Sequence, residues 1–288
     1  MTEVAVVHAG GYELAEGVRH VGDRLVFVDI LSGRLFETAP DEPAAVRLVT
    51  QLDVPLGAVA PIRGRPGAWI AAAGTGIALL DDAGRVEWLD RPEDGGSVRT
   101  RMNDGSCDPQ GRFWAGSMAY DATPGAGSLY RADTTGNVQR VLDGFTIVNG
   151  PVFAAAGATM YLADTPTGRV HRFAIDADGE PRDGSVFVEI APEDGSPDGM
   201  TTDSDGRLWV AMWGGSAVRC YNPDGSLHTV LALPTPQPTS VCLAAGHLFV
   251  TTARHGLDDP TQAAGALLRL PCTAYASEAH EFGKAAAG

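Results

Sequence analysis

The stretch Gly111-Arg-Phe-Trp-Ala-Gly116 is a short β-type run led by a glycine, and close variants of it recur along the whole chain. A near copy is Gly206-Arg-Leu-Trp-Val-Ala211. The other runs are Asp23-Arg-Leu-Val-Phe-Val28, Gly67-Ala-Trp-Ile-Ala71, Ala158-Thr-Met-Tyr-Leu-Ala163 and Gly246-His-Leu-Phe-Val-Thr251. Their aromatic and β-branched residues favour strands. Trp114 and Trp209 hold equivalent positions, which predicts packing residues rather than a ligand platform.

The spacing of these runs indicates the fold class. Neighbouring runs are 43, 45, 47, 48 and 40 residues apart, measured between Leu25, Ala68, Phe113, Met160, Leu208 and Leu248. A second strand led by a small residue follows each run, and acidic-glycine turns such as Asp133-Thr-Thr-Gly136 follow several of them. A period of about 40–50 residues made only of short strands is typical of a β-propeller blade. The sequence therefore predicts an all-β, six-bladed β-propeller with four-stranded antiparallel blades.

The two ends of the chain differ from the repeats. Glu3-Val-Ala-Val-Val7 precedes the first repeat and has no partner strand there. We expect this N-terminal strand to join the last blade and close the ring, because closure removes exposed sheet edges. Residues 1–275 then form a single propeller domain. Residues 276–288 are Ala-rich and polar, and we expect them to be a disordered tail.

Composition excludes several classes of function. Asp and Glu outnumber Lys and Arg by 36 to 21, a net charge of −15, which argues against nucleic-acid binding. The only lysine is Lys284, so the chain has no P-loop. No apolar run is long enough to span a membrane, and the four scattered cysteines indicate free thiols in a reducing compartment. We expect a cytoplasmic monomer or small homo-oligomer without nucleic-acid or membrane partners.

Acids and amides recur at one phase of the repeat. In a propeller, the loops that lead into the innermost strands form one mouth of the central channel. Four of the six repeats place an acid or amide about ten residues ahead of the run: Glu16, Asn103 with Asp104, Asn149 and Asp198. Glu16, Asn149 and Asp198 are hard oxygen donors that suit Ca²⁺, Mg²⁺ or Mn²⁺, with Zn²⁺ less natural. Spacing alone leaves ordinary turn chemistry open, because Asn-Gly and Asp-Gly are also common turn pairs.

Longer motifs carry a resemblance to a known family. Arg101-Met-Asn-Asp-Gly105, followed by Asp108-Pro-Gln-Gly-Arg-Phe-Trp-Ala-Gly116, resembles the signature of the SMP-30/gluconolactonase/regucalcin family. Asn149-Gly150 ahead of Tyr161-Leu-Ala-Asp-Thr165, and Pro197-Asp-Gly-Met200, continue the match over about residues 10–270. The resemblance implies a six-bladed propeller with one divalent metal ion in its channel, acting on a small-molecule sugar lactone.

The resemblance also implies roles for individual residues. Glu16, Asn149 and Asp198 would be the metal ligands, and Asp198 also the catalytic general base. Arg101 and Asn103 would contact the substrate. The loop after the third-blade strand adds Tyr120 and Asp121 as candidate substrate contacts. The first blade departs from the family pattern, since Val18-Arg19-His20 stands where a proline and an aromatic residue are common.

These observations predict a divalent-metal-dependent lactonase that opens an aldonolactone, such as gluconolactone, with metal-activated water. Two alternatives stay open: a phosphotriesterase-like hydrolase on the same metal site, and a non-catalytic calcium-binding propeller. The substrate prediction rests on the resemblance, because a fold by itself does not fix a function.

Overall fold

The computed structural model describes residues 3–284, and this part of the chain consists of short strands and three single 3-10 turns. The first strand is β1 (Ala5–His8). The 3-10 turns are Ala155–Gly157, Thr165–Thr167 and Pro192–Asp194. Within residues 3–284, no helix reaches the length and apolar character needed to cross a bilayer.

The first three blades each consist of four consecutive strands. Blade 1 contains β2 (Ala15–Val21), β3 (Arg24–Asp29), β4 (Arg34–Thr38) and β5 (Arg47–Gln51). Blade 2 contains β6 (Leu56–Pro61), β7 (Trp69–Ala73), β8 (Gly76–Leu80) and β9 (Val86–Asp90). Blade 3 contains β10 (Thr100–Cys107), β11 (Phe113–Ala119), β12 (Gly127–Ala132) and β13 (Val138–Phe145).

The last three blades complete the ring. Blade 4 contains β14 (Val148–Ala154), β15 (Thr159–Asp164), β16 (Arg169–Ile175) and β17 (Pro181–Glu189). Blade 5 contains β18 (Ser196–Thr202), β19 (Leu208–Trp213), β20 (Ala217–Tyr221) and β21 (Leu227–Ala232). Blade 6 contains β22 (Pro238–Ala244), β23 (His247–Thr252), β24 (Leu267–Pro271) and β1.

The blades are antiparallel and form a closed ring. The first strands of neighbouring blades contact one another, so β2, β6, β10, β14, β18 and β22 surround the central channel. β1 pairs antiparallel with β24, with Ala5 opposite Arg269 and Val6 opposite Leu268. The prediction of six four-stranded blades, closed by the N-terminal strand, is confirmed for the described residues.

The hydrophobic core lies between the blades. Every residue of β7, from Trp69 to Ala73, is buried, because both faces of a middle strand pack against other strands. One core cluster joins Val26 and Val28 of blade 1 to Trp69 and Ala71 of blade 2. The outermost strands, such as β5 and β9, are largely exposed. Packing between blades therefore makes the inner ring a rigid frame for the channel.

An aspartate–tryptophan contact stabilises the turn before the second strand in two blades. In blade 3, Asp108 Oδ2 accepts a 2.9 Å hydrogen bond from Trp114 Nε1. In blade 5, Asp203 Oδ2 accepts one of 2.9 Å from Trp209 Nε1. Both tryptophans are buried among core residues. The prediction that Trp114 and Trp209 are packing residues is confirmed.

The segment after β24 differs from the expected disordered tail. The amide N–H of Phe282 donates to the carbonyl oxygen of Pro61 at 2.8 Å, and its ring is buried in a core cluster with Ile62. Residues 275–280 line a cavity of about 950 Å³ at the channel end where the inner strands finish. The segment therefore packs against the ring through Ala276 and Phe282, while Ser277, Glu278 and Lys284 stay exposed. Residues 285–288 of the expected tail lie outside the described residues.

Candidate functional site

The innermost strand of every blade bulges close to its start. The pairing register between first and second strands shifts after Glu16, Leu56, Met102, Asn149, Pro197 and Pro238. A β-bulge bends its strand and re-aims the side chains beside it. Four of the six bulges contain or adjoin the acids and amides that the repeat phase singled out. The bulges thus explain why these side chains converge on the channel.

The glycines that follow the predicted ligands meet two different demands. Gly150, after Asn149, has a φ of 81°, a left-handed conformation that a side chain would strain. Gly199, after Asp198, sits so close to blade 6 that an added Cβ would lie 2.7 Å from the Cβ of Ser240. The glycine after Asn149 is therefore needed for the backbone conformation of blade 4, and the glycine after Asp198 for the contact between blades 5 and 6.

The three predicted metal ligands are all buried. The exposed fractions are 5% for Glu16, 3% for Asn149 and 4% for Asp198. Burial, and then the charges of Asp198 and Asp104, raise the pKa of Glu16 well above its usual value. Burial and the charge of Asp104 raise the pKa of Asp198 in the same direction. The carboxylates therefore repel each other in a poorly solvated place, and a bound cation would offset that cost.

Asp198 carries the clearest sign of a missing ligand. Among the described residues, its Oδ1 atom is buried and has no hydrogen-bond partner. A buried acceptor without a partner costs about 1–3 kcal/mol, and more when it is charged. No three His, Cys, Asp or Glu side chains within residues 3–284 form a metal-holding cluster. The predicted ligand set consists of two carboxylates and one amide. Oxygen donors of this kind fit a hard divalent cation.

Of the predicted substrate contacts, Asn103 hydrogen-bonds directly to a predicted metal ligand, and Arg101 hydrogen-bonds to Asn103. Arg101 Nη1 donates to Asn103 Oδ1 at 2.7 Å and to the carbonyl oxygen of Met102 at 3.0 Å. Asn103 Nδ2 donates to Asn149 Oδ1 at 3.0 Å. Since the hydrogen bonds of Arg101 within the described chain come from Nη1, its other N–H groups are available to a substrate. The structure therefore brings Arg101, Asn103 and Asn149 together.

Tyr120 and Asp121 lie in an exposed loop after β11. The guanidinium of Arg99 stacks over the Tyr120 ring, 4.4 Å from its centroid. Asp121 Oδ1 accepts hydrogen bonds from Thr123 Oγ1 at 2.6 Å and Thr123 N at 3.1 Å, and so caps its own turn. These hydrogen bonds lower the pKa of Asp121. Substrate contact by Tyr120 and Asp121 stays a prediction.

Sequence reasoning assigned no role to Arg19 and Asp104, which form an ion pair under the site. Arg19 Nη2 lies 3.0 Å from Asp104 Oδ1, and both side chains are largely buried. Asp104 Oδ2 accepts a 3.0 Å hydrogen bond from the amide N–H of Gly150, next to Asn149. The sequence feature that could have pointed to this ion pair is Val18-Arg19-His20, because it departs from the family pattern by placing an arginine on an inner strand.

Blade 6, which offers no carboxylate, contributes hydroxyl groups instead. Thr239 Oγ1 donates to the carbonyl oxygen of Ala15 at 2.5 Å, directly before Glu16. Ser240 Oγ accepts a 2.9 Å hydrogen bond from the amide N–H of Val18. The strand that carries Glu16 is therefore held on both sides of this residue by hydrogen bonds to the neighbouring blade.

Known proteins of similar sequence include two lactonases. A 6-deoxy-6-sulfogluconolactonase of Pseudomonas putida is 34% identical over 234 residues, which cover 80% of this chain and 79% of the relative. A pentonolactonase of Haloferax volcanii is 36% identical over 267 residues, which cover 87% of each chain.

The fold and a family model agree with these relatives. The crystal structure of regucalcin from Agrobacterium tumefaciens, a calcium-binding protein, matches with a TM-score of 0.89 and 27% identity, covering 98% of this chain and 97% of that one. Residues 14–254 match the model of the SMP-30/Gluconolactonase/LRE-like region. The chain belongs to the SMP-30/gluconolactonase/LRE-like family.

Proposed function

We propose that this chain hydrolyses a sugar lactone and that the reaction needs one divalent cation held by Glu16, Asn149 and Asp198. The observation that carries the proposal is the buried Oδ1 atom of Asp198, which lacks a hydrogen-bond partner in the described chain and faces charges of its own sign. The lactonase names of two relatives support the substrate class. The preference of hard cations for oxygen donors supports Ca²⁺, Mg²⁺ or Mn²⁺ over Zn²⁺.

A cation held by Glu16, Asn149 and Asp198 would supply Lewis-acid polarisation of a carbonyl oxygen and a lower pKa for water in the site. The protein residues supply orientation and proton transfer. Arg101 donates N–H groups to the carbonyl or a hydroxyl of the sugar, because only its Nη1 is engaged within the described chain. Asn103, fixed between Arg101 and Asn149, keeps the guanidinium at a constant distance from the ligand set.

Asp198 is the general base of this proposal. A water molecule adds to the lactone carbonyl carbon and gives its proton to the Asp198 carboxylate. The ring C–O bond then breaks, and the same proton passes to the departing ring oxygen, which yields the open hydroxy acid. Burial raises the pKa of Asp198, which makes its carboxylate a stronger proton acceptor. A bound cation would lower the pKa of Asp198 again, because it favours the charged carboxylate. Variants of Asp198 therefore test its role as general base.

Hydrolysis of five- and six-membered aldonolactones, followed as acid release, tests the proposal. Metal-stripped wild-type protein is compared with the same protein after addition of Mn²⁺, Mg²⁺, Ca²⁺ or Zn²⁺. We expect turnover that depends on the metal and is lost in Asp198→Asn. Asp258→Asn, at an exposed position, is the matched control and keeps wild-type turnover.

Two other outcomes identify the alternatives. Turnover of phosphotriesters but not of lactones, with the same metal dependence, would mean a phosphotriesterase-like hydrolase. Tight Ca²⁺ binding by folded protein that hydrolyses neither substrate would mean a calcium-binding propeller. Lactone turnover that survives complete metal removal would contradict the metal requirement.

A further inference from the structure

Thr165 lies between two of the predicted metal ligands. Its Oγ1 atom accepts a 2.8 Å hydrogen bond from Asn149 Nδ2. The same hydroxyl donates to the carbonyl oxygen of Pro197, the residue before Asp198, at 2.8 Å. A hydroxyl can do both, because it has one proton to donate and two lone pairs to accept with. Thr165 therefore connects the ligand of blade 4 with the ligand of blade 5.

The direction of this hydrogen-bond chain is fixed at both ends. Arg101 can only donate, so Asn103 turns its Oδ1 towards it and its Nδ2 towards Asn149 Oδ1. At the other end, the carbonyl of Pro197 can only accept, so Thr165 uses its proton there and receives Asn149 Nδ2. Both ends require the same orientation of the Asn149 amide. That orientation keeps the second lone pair of Asn149 Oδ1 available to a cation.

The main chain holds Thr165 in place. Thr165 begins a 3-10 turn directly after β15, and its amide N–H donates to the carbonyl oxygen of Ile147 at 3.2 Å. Asp164 Oδ1 accepts hydrogen bonds from the amides of Thr146 at 3.0 Å and Ile147 at 3.2 Å. The turn is thereby tied to the loop that leads into β14. The hydroxyl group is thus held by the backbone that also carries Asn149.

We propose that Thr165 is a positioning residue that fixes the amide of Asn149 and the main chain before Asp198 for cation binding. The inference rests on the metal site of the proposed function. Loss of the hydroxyl leaves Asn149 Nδ2 and the Pro197 carbonyl without their partners. The Asn149 amide then keeps only the hydrogen bond from Asn103 Nδ2 to its Oδ1, so its NH₂ group is held less firmly away from the cation. Removal of such an outer partner typically weakens metal binding about 10–100-fold.

Calorimetric titration of Mn²⁺ into the metal-stripped full-length protein tests this role. Thr165→Val removes the hydroxyl but keeps the branched shape, and we expect about 10–100-fold weaker binding. Thr165→Ser restores the hydroxyl and should restore most of the affinity. Thr167→Val is the matched control, because Thr167 also donates from its hydroxyl in this turn, but to the carbonyl of Asp164 at 2.8 Å. Its Mn²⁺ affinity should equal that of the wild type.

The outcomes separate this inference from the metal site itself. Unchanged Mn²⁺ binding in Thr165→Val, while Asp198→Asn loses binding, would overturn the role of Thr165 and leave the metal site intact. Equal weakening in Thr167→Val, or failure of Thr165→Ser to restore affinity, would also overturn it, because the effect would then belong to the turn. Wild-type protein that binds no Mn²⁺ would overturn the site and this inference together. Thr165→Ala replaces the valine variant if the latter does not fold.

Discussion

Asn103 of blade 3 donates a 3.0 Å hydrogen bond from its side-chain amide to the side-chain oxygen of Asn149 in blade 4. Asn103 Nδ2 also donates to the carbonyl oxygen of Val148 at 2.9 Å. A predicted substrate contact and a predicted metal ligand are therefore joined directly, across the boundary between two blades. Changes at Asn103 should consequently affect metal binding as well as substrate binding.

Asn103→Asp replaces the donating amide by a second acceptor of nearly equal size. Oxygen then faces oxygen at Asn149 and Val148, and two buried acceptors lose their donor. At about 1–3 kcal/mol for each lost partner, we expect kcat/KM for a lactone to fall about 10–100-fold or more. Steady-state kinetics at several Mn²⁺ concentrations measure the effect. Asn222→Asp, in an exposed turn of blade 5, is the control and should keep wild-type kcat/KM.

Arg19→Met tests the ion pair below the site. The side chains of Arg19 and Asp104 are 14% and 4% exposed, so the variant leaves a buried carboxylate without its cation. We expect a loss of about 3 kcal/mol in the free energy of unfolding. The double variant Arg19→Met/Asp104→Asn should recover part of that loss, because no unpaired charge remains. Denaturant unfolding measures both values.

A surface pair provides the comparison for Arg19. Arg140 and Asp143 lie 3.8 Å apart, and both side chains are more than half exposed. Arg140→Met should change the free energy of unfolding by less than about 1 kcal/mol. Equal effects of Arg19→Met and Arg140→Met would show that the buried pair adds no stability of its own.

The sequence was sufficient to predict the blades and the positions of the acids. Both follow from a local repeat, in which the strand-forming runs recur at regular spacing and each acid stands about ten residues ahead of its run. Contacts between blades have no such local signal. Asn149 receives a hydrogen bond from Asn103 in the neighbouring blade and donates one to Thr165 in the turn after β15 of its own blade, and neither contact follows from the repeat.

The segment after β24 shows the same limit. Phe282 is a single apolar residue among alanines and polar residues, so no periodicity indicates that it packs. Its place is formed where blades 2 and 3 pack together, beside Ile62 just after the end of β6. Burial of an isolated residue depends on the cavity that receives it, and the cavity exists only in the folded ring.

Phe282→Ala should therefore destabilise the propeller. The Phe282 ring is 7% exposed and belongs to a core cluster, so truncation leaves a cavity that costs about 3–5 kcal/mol. Tyr275→Ala is the control from the same segment, because the Tyr275 side chain is 69% exposed. Thermal or denaturant unfolding distinguishes the two variants. Indistinguishable stabilities would mean that the segment does not support the ring.

Asp133 predicts a specific dependence of stability on pH. Desolvation opposes ionisation, but hydrogen bonds from Thr135 and Asn137 outweigh it and lower the pKa of Asp133 from 3.8 to about 2. Because the pKa is lower in the folded state, the stabilisation is complete above about pH 4 and is lost as the pH falls towards 2. Solvent screening at this partly exposed turn limits the contribution to less than about 1 kcal/mol.

The pKa of Asp133 can be followed directly by NMR titration of its carboxyl carbon. Thr135→Val removes the 2.6 Å hydrogen bond from Thr135 Oγ1, so the pKa should rise towards 3.8 in that variant. The stability difference between wild type and Asp133→Asn should shrink between pH 4 and pH 2. A difference that is constant over this range would contradict the assignment of the shift to these hydrogen bonds.

Glu16→Gln should have opposite effects on the metal-stripped and metal-loaded protein. In the stripped protein, Glu16 repels Asp198 and Asp104, so loss of its carboxylate should raise the free energy of unfolding. In the loaded wild type, metal at about 100 times its Kd adds about 2.7 kcal/mol. The variant should lose most of that gain, because an amide is a weaker ligand than a carboxylate.

Thermal unfolding with chelator and with Mn²⁺ measures both effects, and the exposed Glu87→Gln is the control. If the variant is less stable than the wild type without metal, the charge of Glu16 stabilises the ring. If Mn²⁺ stabilises the variant as much as the wild type, Glu16 is not a ligand.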